Sequence, residues 1–275
     1  MTTSPPRLQR ASGESRVAFA VRDGETRLAD LYQRDPCRVL FPDPEPGEPP
    51  QAVLVTTSGG VAGGDCLRME VAAGPGAHAV VATQAAEKIY RAAPGSDPCR
   101  IDVAISVGEG AILDWLPQET IVFQGSRLVR RTVAEVAPGA ALLGCEMVVL
   151  GRGASGERFA SGLLLDSWSV RRGGRLAWTD TLRVEGETPD GAGFGSANAL
   201  ATVIGIWDAP ELQFKKARAL LDDAGEARLK VRSGVTLVNG IMVTRLLGEA
   251  TAVRAVAIGF LTAFRGRRLP RVWHV

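Results

Sequence analysis

A chain of 275 residues, 45% apolar and 23% charged, is long enough to bury a sizeable core and too apolar to stay disordered. Its formal charge of +2 excludes a global field that would draw it to nucleic acid or to an anionic membrane. The polar start "MTTSPPRLQRASGES" lacks the apolar centre of a secretory signal. The longest apolar run, "ATAVRAVAIGFLTAF", contains Arg254 and is too short to span a bilayer, so a cytoplasmic protein is expected.

The first two thirds carry a loose repeat. "VAFAVRDGETRLADLYQ", "MEVAAGPGAHAVVATQ", "IDVAISVGEGAILDWLPQ", "VAEVAPGAALLGCEM" and "SWSVRRGGRLAWTD" each hold an alternating strand, a turn at Gly24, Gly76, Gly110, Gly139 or Gly174, and a second strand. The last four turn glycines fall 34, 29 and 35 residues apart. Period-two alternation bounded by glycine signals strands and hairpins. A unit of this length cannot bury its apolar face alone, so stacking is expected. The fold expected is mainly β: a layered, helicoidal stack of β-hairpin units in two sheets, with an ordinary β-sandwich as the plainer alternative.

Residues 16–184 form this β-repeat part of a single domain spanning 1–275. The glycine-rich "EGETPDGAGFGSANA", 185–199, reads as a loop or seam. In the remainder, 200–275, "LATVIGIW" is a buried strand and "DAPELQFKKARALLDDAG" a helix, with capping-box spacing between Asp208 and Glu211 and Gly225 as its C-cap. Asn239-Gly240 between two apolar runs suits a type I′ hairpin turn. "EATAVRAVAIGFLTAFRG" is a second, mostly apolar helix closed by Gly266.

Enzyme chemistry finds few parts. In "TTSGGVAGGD" the glycines lead into Asp65, whose carboxylate would repel a phosphate, and "CLRMEV" after it alternates as a strand rather than opening a helix, so a phosphate loop is disfavoured. His78 and His274 are the two histidines, too few for most histidine-based metal sites and triads, and no HExxH, GxSxG or SxxK pattern occurs. Cys37, Cys66, Cys99 and Cys145 are scattered without metal or redox spacing and read as free, mostly buried thiols. The arginine clusters "RLVRR" and "RGRRLPR" read as solvated faces or protein contacts.

Gln84 and Gln118 each stand eight residues beyond a turn glycine, and stacking would bring them to one corner. Asp65, Glu87, Asp114 and Glu119 belong to the same segments. Such a cluster is either a solvated edge or a wet functional interior, and spacing alone favours the edge.

"SGGVAGGD", "TQAAEKIYR", "LPQETIVFQGS" and "GRGASGERF", in this order, followed by "VTRLLG", a helix and "PRVW", together resemble the urease accessory protein D family (UreD, also called UreH). The resemblance runs from about Arg16 to Trp273. It implies a non-enzymatic scaffold that binds apo-urease and two further accessory proteins, the F protein and the GTP-hydrolysing G protein. It also implies a β-rich helicoidal fold with two helices, and an internal hydrated passage for nickel. No tightly bound cofactor is implied, only nickel in transit. The matching motif positions are Gly59, Gly60, Gly63, Gly64, Thr83, Gln84, Lys88, Tyr90, Pro117, Gln118, Phe123, Gly151, Arg152, Gly156 and Glu157.

For the glycines the backbone explanation is preferred. Glu157 is expected to anchor its loop through Arg152 or Arg158. The carboxylates that could line a passage are Asp65 first, then Glu87, Asp114, Glu119, Glu146 and Asp180. Oxygen ligands hold a divalent cation loosely enough to release it, which suits transit better than a closed histidine or thiolate cage. The rival readings are a carboxylate-dependent enzyme and a simple binding module on the same β-scaffold.

Overall fold

The computed structural model describes residues 10–186, 193–223 and 230–274. The chain opens with a hairpin of β1 (Ser12–Arg22) and β2 (Glu25–Arg34), which forms one edge of a first sheet. β3 (Cys37–Leu40) and β4 (Gln51–Thr56) then start a second sheet, also as an antiparallel pair. From there the chain winds between the sheets. β5 (Cys66–Ala73) returns to the first sheet beside β1, and β6 (His78–Thr83) lies in the second beside β4. After the short β7 (Glu87–Ile89), β8 (Cys99–Val107) pairs with β5 and β9 (Ile112–Leu116) pairs with β6. After the short β10 (Thr120–Val122), β11 (Arg127–Val136) pairs with β8 and β12 (Ala141–Leu150) pairs with β9. β10 lies parallel between β7 and β12.

β13 (Leu163–Arg172) joins β11, and the hairpin to β14 (Arg175–Glu185) completes a seven-stranded first sheet, order β14-β13-β11-β8-β5-β1-β2. β15 (Ala199–Ile206), β16 (Val231–Val238) and β17 (Ile241–Gly248) extend the second sheet to ten strands. The helicoidal, two-sheet expectation holds, with one difference in detail. At Gly76, Gly110 and Gly139 the chain crosses between sheets, so the strands on either side pair with the next coil instead of with each other. Only the turns at Gly24 and Gly174 among the five close hairpins. Alternation reports a one-sided strand but not which strand it pairs with, so arches and hairpins look alike in sequence.

The burial patterns separate the sheets. β8, "CRIDVAISV", alternates strictly between buried and exposed, as a strand with one wet face should. β12, "ALLGCEMVVL", is buried almost throughout, because helices cover the other face of its sheet. These are α1 (Pro210–Asp222) and α2 (Ala250–Arg265), whose Ala217, Leu221, Val253, Phe260 and Phe264 pack on Leu143, Met147, Ala201 and Leu246. A separate apolar core fills the space between the sheets.

The Asn239-Gly240 turn forms as expected, with both residues at positive φ between paired Val238 and Ile241. α2 ends on left-handed Gly266. The capping box at α1 does not form. Its N-cap is Ala209, Pro210 opens the helix, and Asp208 instead accepts from Arg172 Nη2 at 3.0 Å. Gly225 and residues 187–192 of the seam lie outside the described residues. Among the described residues no helix is long and apolar enough to cross a membrane.

Candidate functional site

Strand register places a polar layer inside the apolar core. Along β11 the buried positions are Leu128, Arg130, Thr132, Ala134 and Val136, so the alternation that buries aliphatic groups also buries one arginine. On β13, Asp166 stands beside Arg130 and Trp168 beside Thr132. On β12, Glu146 shares the inner face with Leu142 and Val148. Arg130 Nε and Nη2 donate to the two oxygens of Asp166 at 2.9 and 2.5 Å, and Nη1 donates to Thr120 Oγ1 at 2.9 Å. Nη2 also lies 3.2 Å from Glu146 Oε2.

Glu146 is further held by Trp115 Nε1 and Thr132 Oγ1, both 3.1 Å from Oε1, and by Trp168 Nε1, 2.9 Å from Oε2. The side chains of Arg130 and Glu146 are only 7% and 3% exposed. Burying such charges is tolerable only when opposite charge and hydrogen bonds meet them on every side. Burial pushes the Glu146 carboxyl above its usual pKa, and the Arg130 charge opposes that rise. Gly144 makes room for the arrangement, since a Cβ there would meet the Trp168 ring at 3.2 Å.

Beside this layer is a small pocket of about 40 Å³, lined by Met69, Thr83, Glu87, Gln118, Thr120, Arg130 and Glu146 among others. That is room for about one water among polar partners. Met69, Thr83 and Glu87 also line an outer cleft of about 120 Å³, bounded by Thr56, Gly59, Gln84 and Lys88. Glu87 stands between the two spaces, accepting from Thr56 Oγ1 at 2.7 Å, and burial raises its pKa. Two carboxylates thus lie on these neighbouring spaces, Glu87 on both and Glu146 on the inner one.

The other expected carboxylates lie elsewhere. Asp65 accepts from Ala11 N and Ala62 N, both at 2.8 Å, and so staples the end of the glycine loop. Asp114 accepts from Arg265 Nε at 2.8 Å under α2, and Glu119 accepts from Arg254 Nη1 at 2.5 Å. Asp180 pairs with Arg245 at 2.6 Å across the two sheets, one strand beyond Trp168. Among the described residues no three His, Cys, Asp or Glu side chains gather as a metal-holding group. Burial pushes the thiols of Cys99 and Cys145 up to about 12, so neither presents a ready thiolate.

Five of the motif positions, Gly59, Gly60, Thr83, Gln84 and Lys88, line the outer cleft. Tyr90 donates to Gly59 O at 2.8 Å, and a Cβ on Gly60 would lie 2.5 Å from the Tyr90 ring. The loop "TTSGGVAGGD" is therefore a clasp seated against the "EKIY" segment, with no phosphate-cradling helix behind it. Thr83, next to Gln84, accepts from Gln118 N at 2.8 Å, so the two glutamine corners do stack. Glu157 pairs with Arg152 at 2.6 Å, and Arg152 lies 4.4 Å over the Phe123 ring.

The solvated-face reading of the arginine clusters is corrected at two positions. Arg130 is enclosed by the polar layer, and the Arg265 side chain is 3% exposed against Asp114. Asp166, Trp115, Trp168, Thr120 and Arg130 were not singled out from sequence. A signal for Arg130 exists, because it interrupts the buried phase of β11.

The fold defines a class of mainly β, two-sheet scaffold with one buried polar layer, Arg130, Glu146 and Asp166, set in an otherwise apolar core. The family model described as UreD urease accessory protein matches residues 11–274. Urease accessory protein UreD 2 of Methylorubrum populi is 42% identical over 279 residues, covering 98% of this chain and 92% of its own. Urease accessory protein UreD of Azorhizobium caulinodans is 42% identical, with 98% of each covered. The namesake from Magnetococcus marinus is 39% identical over 97% of this chain and 95% of its own. The chain belongs to the UreD family of urease accessory proteins.

Proposed function

We propose that this chain is a cytoplasmic, non-catalytic urease maturation scaffold. It binds apo-urease together with the F and G accessory proteins and offers nickel an internal hydrated route toward the urease active site. Nucleotide hydrolysis is supplied by the G partner, and nickel is cargo, not a resident cofactor. The observation that carries this reading, beside family membership, is a pair of carboxylates: Glu87, which lines both the outer cleft and the inner pocket, and Glu146, which lines the inner one. Oxygen donors that already have hydrogen-bond partners hold a divalent cation weakly, and a route needs sites that can be left as well as entered. The carboxylate-enzyme alternative gains nothing from Glu146, whose two oxygens are both occupied.

Two experiments test it. Pull-down of the F protein by the purified chain is expected, as is loss of nickel-dependent urease activity when the chain is deleted from its host. Urease activity that survives deletion overturns the reading.

A further inference from the structure

A cation already sits in the middle of the interior, on the chain itself. Arg130 Nη2 lies 2.5 Å from Asp166 Oδ2 and 3.2 Å from Glu146 Oε2, so one nitrogen is shared by carboxylates from two different strands. A small divalent cation, which takes carboxylate oxygens as ligands, would be drawn to the same space between those oxygens. When both carboxylates are ionised, one guanidinium leaves a negative charge uncompensated, whereas a divalent cation would balance the pair. An approach is at hand, because Arg130, Thr120 and Glu146 all line the pocket that shares Met69, Thr83 and Glu87 with the outer cleft.

We propose that Arg130 is a latch: its guanidinium occupies the place of a divalent cation between Glu146 and Asp166. A cation entering the pocket must displace it, and its return then ejects the cation. Because the guanidinium is tethered, it competes at high effective concentration, which keeps two buried carboxylates from becoming a trap. Trp115, Trp168 and Thr132 hold Glu146 from its other sides, so the carboxylate keeps three hydrogen-bond partners when the arginine leaves. This inference rests on the reading of the interior as a route for nickel.

The test is equilibrium dialysis of the full chain against nickel chloride, with bound nickel counted per chain. Tryptophan emission is a second readout, since two indoles donate to Glu146. Arg130→Gln is expected to bind nickel at least about tenfold more tightly than the wild type, and adding Glu146→Gln is expected to abolish the gain. Arg130→Lys keeps the charge but loses the fork to Asp166. It should fall between the two, and it decides the matter if Arg130→Gln is not recovered folded. Unchanged affinity in the folded variant, or a gain that persists with Glu146→Gln, overturns the latch. Because the assay uses the isolated chain, the latch can fail while F-protein binding and urease maturation stand, and those can fail while the latch holds.

Discussion

Trp115 and Trp168 stand on opposite sheets and donate their indole N–H groups to the two oxygens of one carboxylate, that of Glu146. The sheets are thus joined at this level by hydrogen bonds as well as by apolar contact. Glu146→Ala would leave two indoles, Thr132 and Arg130 short of an acceptor. We expect it to lower unfolding free energy by about 3–5 kcal/mol, the range for removing one partner of a buried ion pair. Urea denaturation followed by tryptophan emission measures this, and a loss under about 1 kcal/mol would contradict the structural role.

Glu87 gives a pH-dependent prediction. Burial raises its folded pKa, with the Thr56 hydrogen bond opposing. The folded chain therefore binds this proton more tightly than the unfolded chain does. The cost of ionising Glu87 in place is absent below its ordinary pKa and fully present above the raised one. Glu87→Gln is expected to be more stable than the wild type at pH 7, with the difference vanishing as pH falls through the carboxylate range. Thermal melts across that range check it, and a variant less stable at neutral pH refutes it.

Gly60 is a steric prediction. At φ +152° and with a Cβ placed 2.5 Å from the Tyr90 ring and 2.8 Å from Lys88 O, alanine cannot fit without moving backbone. Gly60→Ala should cost about 1–3 kcal/mol. Tyr90→Leu in the same chain should recover only part, because the Lys88 carbonyl remains in the way.

Asp65→Ala separates a loop staple from a metal contact. It removes the acceptor for Ala11 N and Ala62 N, and a loss of about 1.5–3 kcal/mol is expected. If accessory-complex assembly survives while urease nickel content falls in step with Asp65 stability alone, the residue acts through the loop. A fall in nickel content with unchanged stability would instead place it on the route.

What could be read beforehand depended on how local each feature is. The Asn239-Gly240 hairpin and the Gly266 cap were legible because two or three adjacent residues determine them. The two-sheet winding was legible from repeat length, but the destination of each turn was not, since pairing between coils is set by residues about thirty positions away. The polar layer was half visible. Glu146 and Glu87 were singled out, whereas Asp166 was not, because its role appears only when Arg130 on the neighbouring strand is placed beside it. Asp208 misled for a related reason: a capping pattern describes the next four residues and is blind to Arg172 on another strand.

The helices that cover the outer face of the second sheet follow most of its strands in the chain. Leu143, Cys145, Met147 and Val149 on β12 lie beneath α2, which is synthesised well after that strand. Until the ribosome has released that helix, a broad oily surface stands open to water and to other nascent chains. A nonsense codon anywhere before α2 would therefore leave a fragment whose second sheet is only partly covered and open to self-association.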